Sequence, residues 1–442
     1  MVSARRLAVA GWMLLALLPR TVAAQTPLTL TDAMTMAANR APVVRALTSA
    51  AEEAAARVQT ARAGYFPRVD VMESVQKGNQ PVYVFSSLLS QRQFTAADFN
   101  LPSLNEPSAL TSTQTAFSIE QPLFDGGRTR SAVRVAHADW ELANLDRVRG
   151  VTELRFRAAQ AFLQVLQFEA AERAIASSVA AAKSDLDRAR VRRNAGLATD
   201  ADVLAVQVHL ADVEQRQTTT HGAVRVARVT LNEVLGAPLD ERFTLLSPAV
   251  PETGGQEEAA LVPEALQARP ERQQADLRVT RARHAADSAR AAWRPVVSAQ
   301  GAWQSAGEHF ADQRAGWLVG AQVRLNLFNG LADSARLAEA RAAEHRADAE
   351  REDQARQIEV DVRAAAARLE AARAAEVTGR AALQEASESQ RIIRDRYDTG
   401  LATMTDVLRA SEAVLDAESR ETRARMDVIL QSIALDRAVG RL

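Results

Sequence analysis

Cysteine is absent from the 442 residues, which removes disulfides, thiolate metal sites, cysteine nucleophiles and a lipid-bearing N-terminal cysteine in one step. Aromatic side chains make up only 5% of the chain, fewer than an ordinary enzyme of this length carries. Alanine is abundant instead, which favours long helices packed closely through small side chains. Neither charge is in excess: 54 basic residues stand against 55 acidic ones, for a net charge of −1, so nothing points to a nucleic acid partner. The six histidines, His137, His209, His221, His284, His309 and His345, are scattered without a metal-ligand spacing. There is no glycine-rich phosphate loop, no His-Glu-x-x-His and no plausible Ser-His-Asp set. No catalytic residue, cofactor or metal is expected, and no enzyme.

What is present is a stretch written twice. Gly196-Leu197-Ala198-Thr199-Asp200-Ala201-Asp202-Val203-Leu204 returns 204 residues later as Gly400-Leu401-Ala402-Thr403-Met404-Thr405-Asp406-Val407-Leu408, with seven of nine positions identical. Each copy reads as a reversal between two helices. A glycine in the left-handed conformation ends the first helix, where Arg190, Arg192 and Arg193, or Arg391, Arg394 and Arg396, suit the negative end of the dipole. Thr199 and Thr403 then cap the next helix, and Asp202 and Asp406 complete a capping box.

Arg5 and Arg6, the apolar run Leu7 to Leu18 and the small-residue pattern Val22-Ala23-Ala24 predict a signal peptide over residues 1–24, with Gln25 as the first mature residue. A transmembrane anchor is the alternative, disfavoured by the shortness of the run and by Pro19 and Arg20 after it. Beyond it no run of about 18 apolar residues remains for a spanning helix.

Two halves follow the same plan. In the first, residues 25–236, a helical pattern is broken by Pro42 and ended by Pro67, and Arg68 to Gln76 alternates as a strand in which Glu73 breaks the apolar face. A long irregular segment, 77–112, separates it from a second strand near 113–123. From Thr129 to Ala195 only Gly150 interrupts a helical pattern of about 65 residues, on the order of 100 Å at 1.5 Å per residue. A linker at 237–262 carries Pro238, Pro248, Pro251, Gly254 and Gly255.

In the second half, residues 263–442, Pro270 and Pro295 stand 25 residues apart, as Pro42 and Pro67 do, and two alternating segments span 296–327. Phe328-Asn329-Gly330 matches Phe124-Asp125-Gly126 at the same offset of 204, whereas the proline pairs are offset by 228. The difference of 24 residues falls in the first strand hairpin, whose tip is therefore expected to face solvent. The strands carry Trp303 and Trp317 and alternate apolar with polar, as strands between lipid and water do. A soluble sandwich between helices is the alternative. In a bilayer an open sheet edge is not tolerated, so other chains must complete the sheet, and three chains would supply twelve strands.

The sequence resembles the TolC-like outer-membrane factor family over nearly all of the mature chain. The resemblance rests on the duplicated helix-strand-strand-helix-helix plan, on the turns Gln121-Pro122-Leu123-Phe124-Asp125-Gly126-Gly127 and Leu327-Phe328-Asn329-Gly330, and on the two Gly-Leu-Ala-Thr reversals. It implies a mainly α protein with a small β part: a homotrimer with one twelve-stranded β-barrel in the outer-membrane lipid of a Gram-negative-type bacterium and an α-barrel tunnel in the periplasm. The 237–262 linker and the chain end would form an equatorial region. Such proteins are exit ducts of tripartite efflux or type I secretion systems that dock a periplasmic adaptor, the membrane fusion protein, and through it an inner-membrane transporter. The rival expectation is an exported helical scaffold or interaction protein without channel activity.

The resemblance places the two reversals at the periplasmic entrance. Gly196, Leu197, Ala198 and Thr199, with Gly400, Leu401, Ala402 and Thr403, are then the candidate adaptor contacts, and capping accounts equally well for the glycines and threonines. A leucine exposed at both tips suggests docking. Asp202 and Asp406 align with acidic positions near the constricted entrance, and Tyr397 aligns with a tyrosine that helps hold it closed. A three-fold ring of Asp406 would attract cations and repel anions. Ala402 stands where some members have an arginine, and Arg409 where they have a second aspartate, so their gate bonds do not carry over.

Overall fold

The computed structural model describes residues 26–251 and 258–442. The expected signal peptide at 1–24 and residues 252–257 of the linker lie outside the described residues.

Helix lengths follow the glycines and prolines. After a short strand β1 (Thr26–Leu28), α1 (Leu30–Arg40) opens with a capping box of Thr29 and Asp32 and stops at Ala41, held extended before Pro42. Pro42 occupies the first position of α2 (Pro42–Arg62), where its missing N–H costs nothing. Strand β2 (Arg68–Gly78), the short helices α3 (Pro81–Ser90) and α4 (Leu101–Asn105), and strand β3 (Leu110–Phe124) lead into α5 (Arg128–Asn194). The α5 helix runs 67 residues without a break and turns back as α6 (Asp200–Leu235). Gly150 does not interrupt α5. A Cβ there would lie 2.3 Å from Leu47 Cδ1, so the glycine lets α2 lie close against the long helix.

Strand β4 (Phe243–Leu245) pairs in parallel with β1, a contact the sequence did not announce. The helices α7 (Glu258–Ala268) and α8 (Pro270–Arg290), strands β5 (Val296–Gly307) and β6 (Arg314–Arg324), and helices α9 (Ala332–Asp398) and α10 (Met404–Val439) complete the chain. The paired helices have equal lengths: α9 is again 67 residues, α6 and α10 are each 36, and α2 and α8 are each 21.

Two expectations need correction. Residues 77–112 are not an irregular loop: β2 and β3 run on to Gly78 and from Leu110, and α3 and α4 lie between them. Strand β6 ends at Arg324, not at Leu327.

The four long strands form one antiparallel sheet in the order β2-β3-β5-β6. The main core lies where α1, α5, α6 and α10 meet, around Phe162, Leu231, Leu235, Phe243 and Ile429. Along the rest of the long helices the buried side chains are mostly alanine and valine, so the hairpins are held by close backbone approach along their whole length.

Candidate functional site

Each hairpin tip is built by its own backbone. Gly196 has φ 76° and Gly400 φ 80°, so both occupy the left-handed region that closes a helix end. The amide of Leu197 donates to Arg192 O at 2.8 Å and that of Leu401 to Arg396 O at 2.8 Å. Thr199 accepts from the Asp202 amide at 3.2 Å, while Asp202 Oδ2 accepts from the Thr199 amide and hydroxyl at 2.9 and 2.8 Å. Thr403 and Asp406 repeat the exchange at 3.2, 3.0 and 2.7 Å. The hydrogen bonds from Thr403 hold the Asp406 carboxyl below its ordinary pKa, helped by the charge of Arg409 one helical turn on.

Capping accounts for the glycines, threonines and aspartates of the tips. It does not account for Leu197 and Leu401, which stand 68% and 77% exposed. Ala198 and Ala402 are half-buried behind them, and Arg409 is exposed.

The two tips lie side by side, joined by an apolar cluster of Leu186, Ala189, Val203, Val206, Tyr397, Met404 and Val407 from all four helices. Here the copies differ. Asp200 at the start of α6 takes Arg193 at 3.1 Å, whereas Met404, its counterpart on α10, is buried in the cluster. Tyr397, only 8% exposed, lies under the guanidinium of Arg192 at 4.6 Å, and Arg192 also donates to Asp398 O at 3.4 Å. Burial pushes the Tyr397 hydroxyl up in pKa, and that hydroxyl has no hydrogen-bond partner. Buried Asp185 receives Arg188 at 3.4 Å and Arg394 at 3.9 Å. Further up, Glu412 on α10 receives Arg216 at 3.0 Å and His209 at 3.4 Å, both from α6.

Arg192, Asp185, Met404, Arg216 and Glu412 were not singled out by sequence. Arg192 was legible only as a cation suited to a helix end.

At the opposite end, the sheet has two unlike faces. One is mainly polar and carries Arg68, Asp70, Ser74, Gln76, Gln114, Ser118, Glu120, Gln300, Gln304 and Gln322, interrupted by Met72 and Leu318, with Gln114 bonded to Gln304 and Gln300 to Gln322 across strands. The other is apolar. Its rows run from Val71, Phe117, Trp303 and Trp317, through Val69, Ile119, Gly301 and Val319, to Phe124, Val297 and Val323. The ring centroids of Phe117 and Trp303 lie 5.4 Å apart. Six steps along β5 lead from Val297 to Trp303, about 20 Å of strand, which at the tilt of barrel strands spans about 15 Å of the roughly 25 Å apolar band of an outer-membrane barrel. Tyr65, Phe66, Trp293 and Phe328 stand exposed at the helix end, a second aromatic level. Glu73, which broke the alternation, lies in the row beyond Phe117 and Trp303 and accepts from Thr115 at 2.6 Å, outside the apolar band.

Among the described residues no helix is long and apolar enough to cross a membrane, and no group of three His, Asp or Glu is placed to hold a metal.

The model of the outer membrane efflux protein family matches residues 33–237 and 261–441. Protein CyaE of Bordetella pertussis is 26% identical over 436 residues, a match covering 94% of this chain and 84% of CyaE. Outer membrane efflux protein BepC of Brucella suis is 23% identical over 339 residues, covering 75% of this chain and 73% of BepC. Among solved structures, the outer membrane channel CmeC of Campylobacter jejuni superposes with a TM-score of 0.80 at 14% identity, covering 93% of this chain and 85% of CmeC. The outer membrane protein VceC of Vibrio cholerae gives 0.77 at 18% identity, covering 93% and 96%.

Proposed function

Because the chain belongs to the outer membrane efflux protein family, we propose that it is one protomer of a trimeric exit duct, docked through its helical tips to a periplasmic adaptor and, through that adaptor, to an inner-membrane transporter. Family and fold place it in the outer membrane, with the helices in the periplasm, among channels and not among enzymes.

One observation carries the trimer. The sheet is apolar on one face, polar on the other, and both of its edges, β2 and β6, are without an outer neighbour among the described residues. An unpaired edge in lipid leaves a row of N–H and C=O groups unsatisfied at several kcal/mol each, so β6 of one copy must pair with β2 of the next. Twelve strands close into a barrel that faces lipid with Val69, Val71, Ile119, Trp317 and Val319 and faces its lumen with the glutamines, Arg68, Asp70 and Glu120. The helices continue the wall inward. At 67 residues, α5 and α9 reach on the order of 100 Å, which suits a periplasmic crossing.

Three copies bring six tips around one entrance. Leu197 and Leu401 are the apolar residues exposed at the turns themselves, with Val191 and Leu204 exposed on the adjoining helix ends, and form the adaptor contact, while Asp202, Tyr397, Asp406 and Arg409 surround the entrance. Cargo choice, whether drug, metal or polypeptide, lies with the transporter. The test is a cell fractionation with cross-linking and planar-bilayer recording, followed by export assays of the Leu197→Asp, Leu401→Asp double variant. The duct reading expects outer-membrane trimers with ion conductance, and a double variant that still forms trimers but no longer exports. A monomer soluble without detergent would favour the scaffold reading; unchanged export would remove the leucines from the docking surface.

A further inference from the structure

The polar face of the sheet is covered at the end remote from the helices. The β5–β6 strands are joined by six residues, 308–313, but the β2–β3 strands by 31, residues 79–109. That insert is folded: Phe85, Phe94 and Phe99 stack edge to face with centroids 4.9 and 5.1 Å apart, and α3 and α4 pack around them.

Its side of the sheet is determined by two glycines. Gly78 lies in register with the polar face, and a Cβ there would meet the Tyr83 ring at 3.5 Å. The Tyr83 hydroxyl donates to Gln76 O at 2.8 Å. Ala306, the last residue of β5 on the polar face, and Ser112 of β3 are buried, and Leu110 beyond it is half-buried. On the apolar face the cover is different: a Cβ on Gly307 would come within 2.9 Å of the Gln313 backbone, and Thr115 bonds the Gln313 side chain at 3.3 Å. The short connection thus shields the apolar face and the insert the polar one.

The insert is pinned across the width of the sheet. Gln91, 1% exposed, donates to Thr111 O at 3.1 Å, and next to it Arg92 donates to Ala315 O of β6 at 2.9 Å. Arg92 holds φ 54°, a conformation that an arginine adopts only when its surroundings impose it. Beyond these anchors Val82 and Leu101 stand 81% and 72% exposed, with Phe99 beside them.

We propose that residues 79–109 form a cap that narrows the outer mouth of the duct from its lumen side, with the same residues of the neighbouring copies packed against Val82, Phe99 and Leu101. The inference rests on the three-copy barrel proposed above. The anchor at β6 carries it, since β6 is the edge at which the next copy begins, and an insert lying on the lumen side from β2 to β6 crosses an arc of the rim. Its exposed apolar side chains then meet their counterparts near the three-fold axis, where water would otherwise surround them. The cap limits the width of cargo at the outlet, a second restriction in series with the periplasmic entrance.

A chain without cysteine allows a clean test in whole cells. Ser118→Cys places one thiol on the polar face below the insert, in the full chain and in a variant whose residues 79–109 are replaced by the six-residue 308–313 connection. A small membrane-impermeant maleimide is expected to label both. A maleimide carrying a long polyethylene-glycol chain is expected to label the short variant at least about tenfold faster than the full chain, with Arg92→Ala in between. In the capped chain Phe99→Cys is expected to cross-link copies on oxidation. Equal labelling by the large reagent in all three, or no cross-link at residue 99, overturns the cap. Failure of the small reagent to label either chain overturns the lumen assignment itself, and with it the duct.

Discussion

The guanidinium of Arg192, in the last turn of α5, stacks over the ring of Tyr397, in the last turn of α9, and joins two hairpins that are 204 residues apart in sequence. The ring contributes its face and the hydroxyl contributes nothing, since it is buried without a partner. Tyr397→Phe is therefore expected to leave the tip as stable or to gain up to about 1 kcal/mol, whereas Arg192→Ala is expected to lose about 1 kcal/mol locally. Hydrogen exchange of the amides at 395–401 in detergent-solubilised trimers reads the difference directly. Faster exchange in Tyr397→Phe would give the hydroxyl a bond in the assembled trimer.

Acid is expected to loosen the second tip late. Hydrogen bonds from Thr403 lower the Asp406 pKa in the folded state below its ordinary value near 3.8. The sign follows: the cap is fully present above about 3.8 and is lost as pH falls through the lower folded value. Protection of the first turn of α10 should thus be flat from neutral pH to about 5 and fall only below about 4. In Asp406→Asn that acid-dependent fall should disappear.

Glycines with the same backbone conformation are expected to differ in cost. Gly126 and Gly400 have φ 73° and 80°, but a Cβ on Gly126 would lie 2.8 Å from Arg294 Cβ and 2.9 Å from Ala291 O, while Gly400 faces open space. Gly400→Ala should cost only the left-handed penalty of about 1–2 kcal/mol. Gly126→Ala must also displace the strand-helix junction of the other half, and the yield of assembled trimer in the outer membrane should fall well below that of Gly400→Ala.

Stability and docking are expected to separate at Phe162 and Leu197. Phe162 is fully buried in the main core, and Phe162→Ala should destabilise the protomer by about 3–5 kcal/mol. Leu197→Ala, at an exposed tip, should change stability by no more than about 0.5 kcal/mol and yet reduce export. Thermal unfolding beside a transport assay distinguishes them, and a loss of stability in Leu197→Ala would assign that leucine to the fold.

The elements set by local chemistry were readable in the sequence. Gly196 and Gly400 must end helices, Thr199 with Asp202 and Thr403 with Asp406 must begin them, and Pro42 and Pro270 each take the first turn of a helix. These signals depend on residues within one turn of each other. The insert was harder, because its three prolines and scattered aromatics read as irregular chain, and its order comes from Phe85, Phe94 and Phe99 meeting one another and from Arg92 reaching β6.

By itself the sequence determined the twice-written reversals, the alternation of the strands and the length of the helices, since each depends on spacing along the chain. Only the tertiary structure decided which side chains share a space. It packed Leu47 against Gly150, paired β1 with β4, stacked Arg192 on Tyr397 and set Glu73 beyond the aromatic row. Those contacts join residues up to hundreds of positions apart, and packing selects them by shape and by the cost of leaving polar groups unpaired, quantities that no local pattern records.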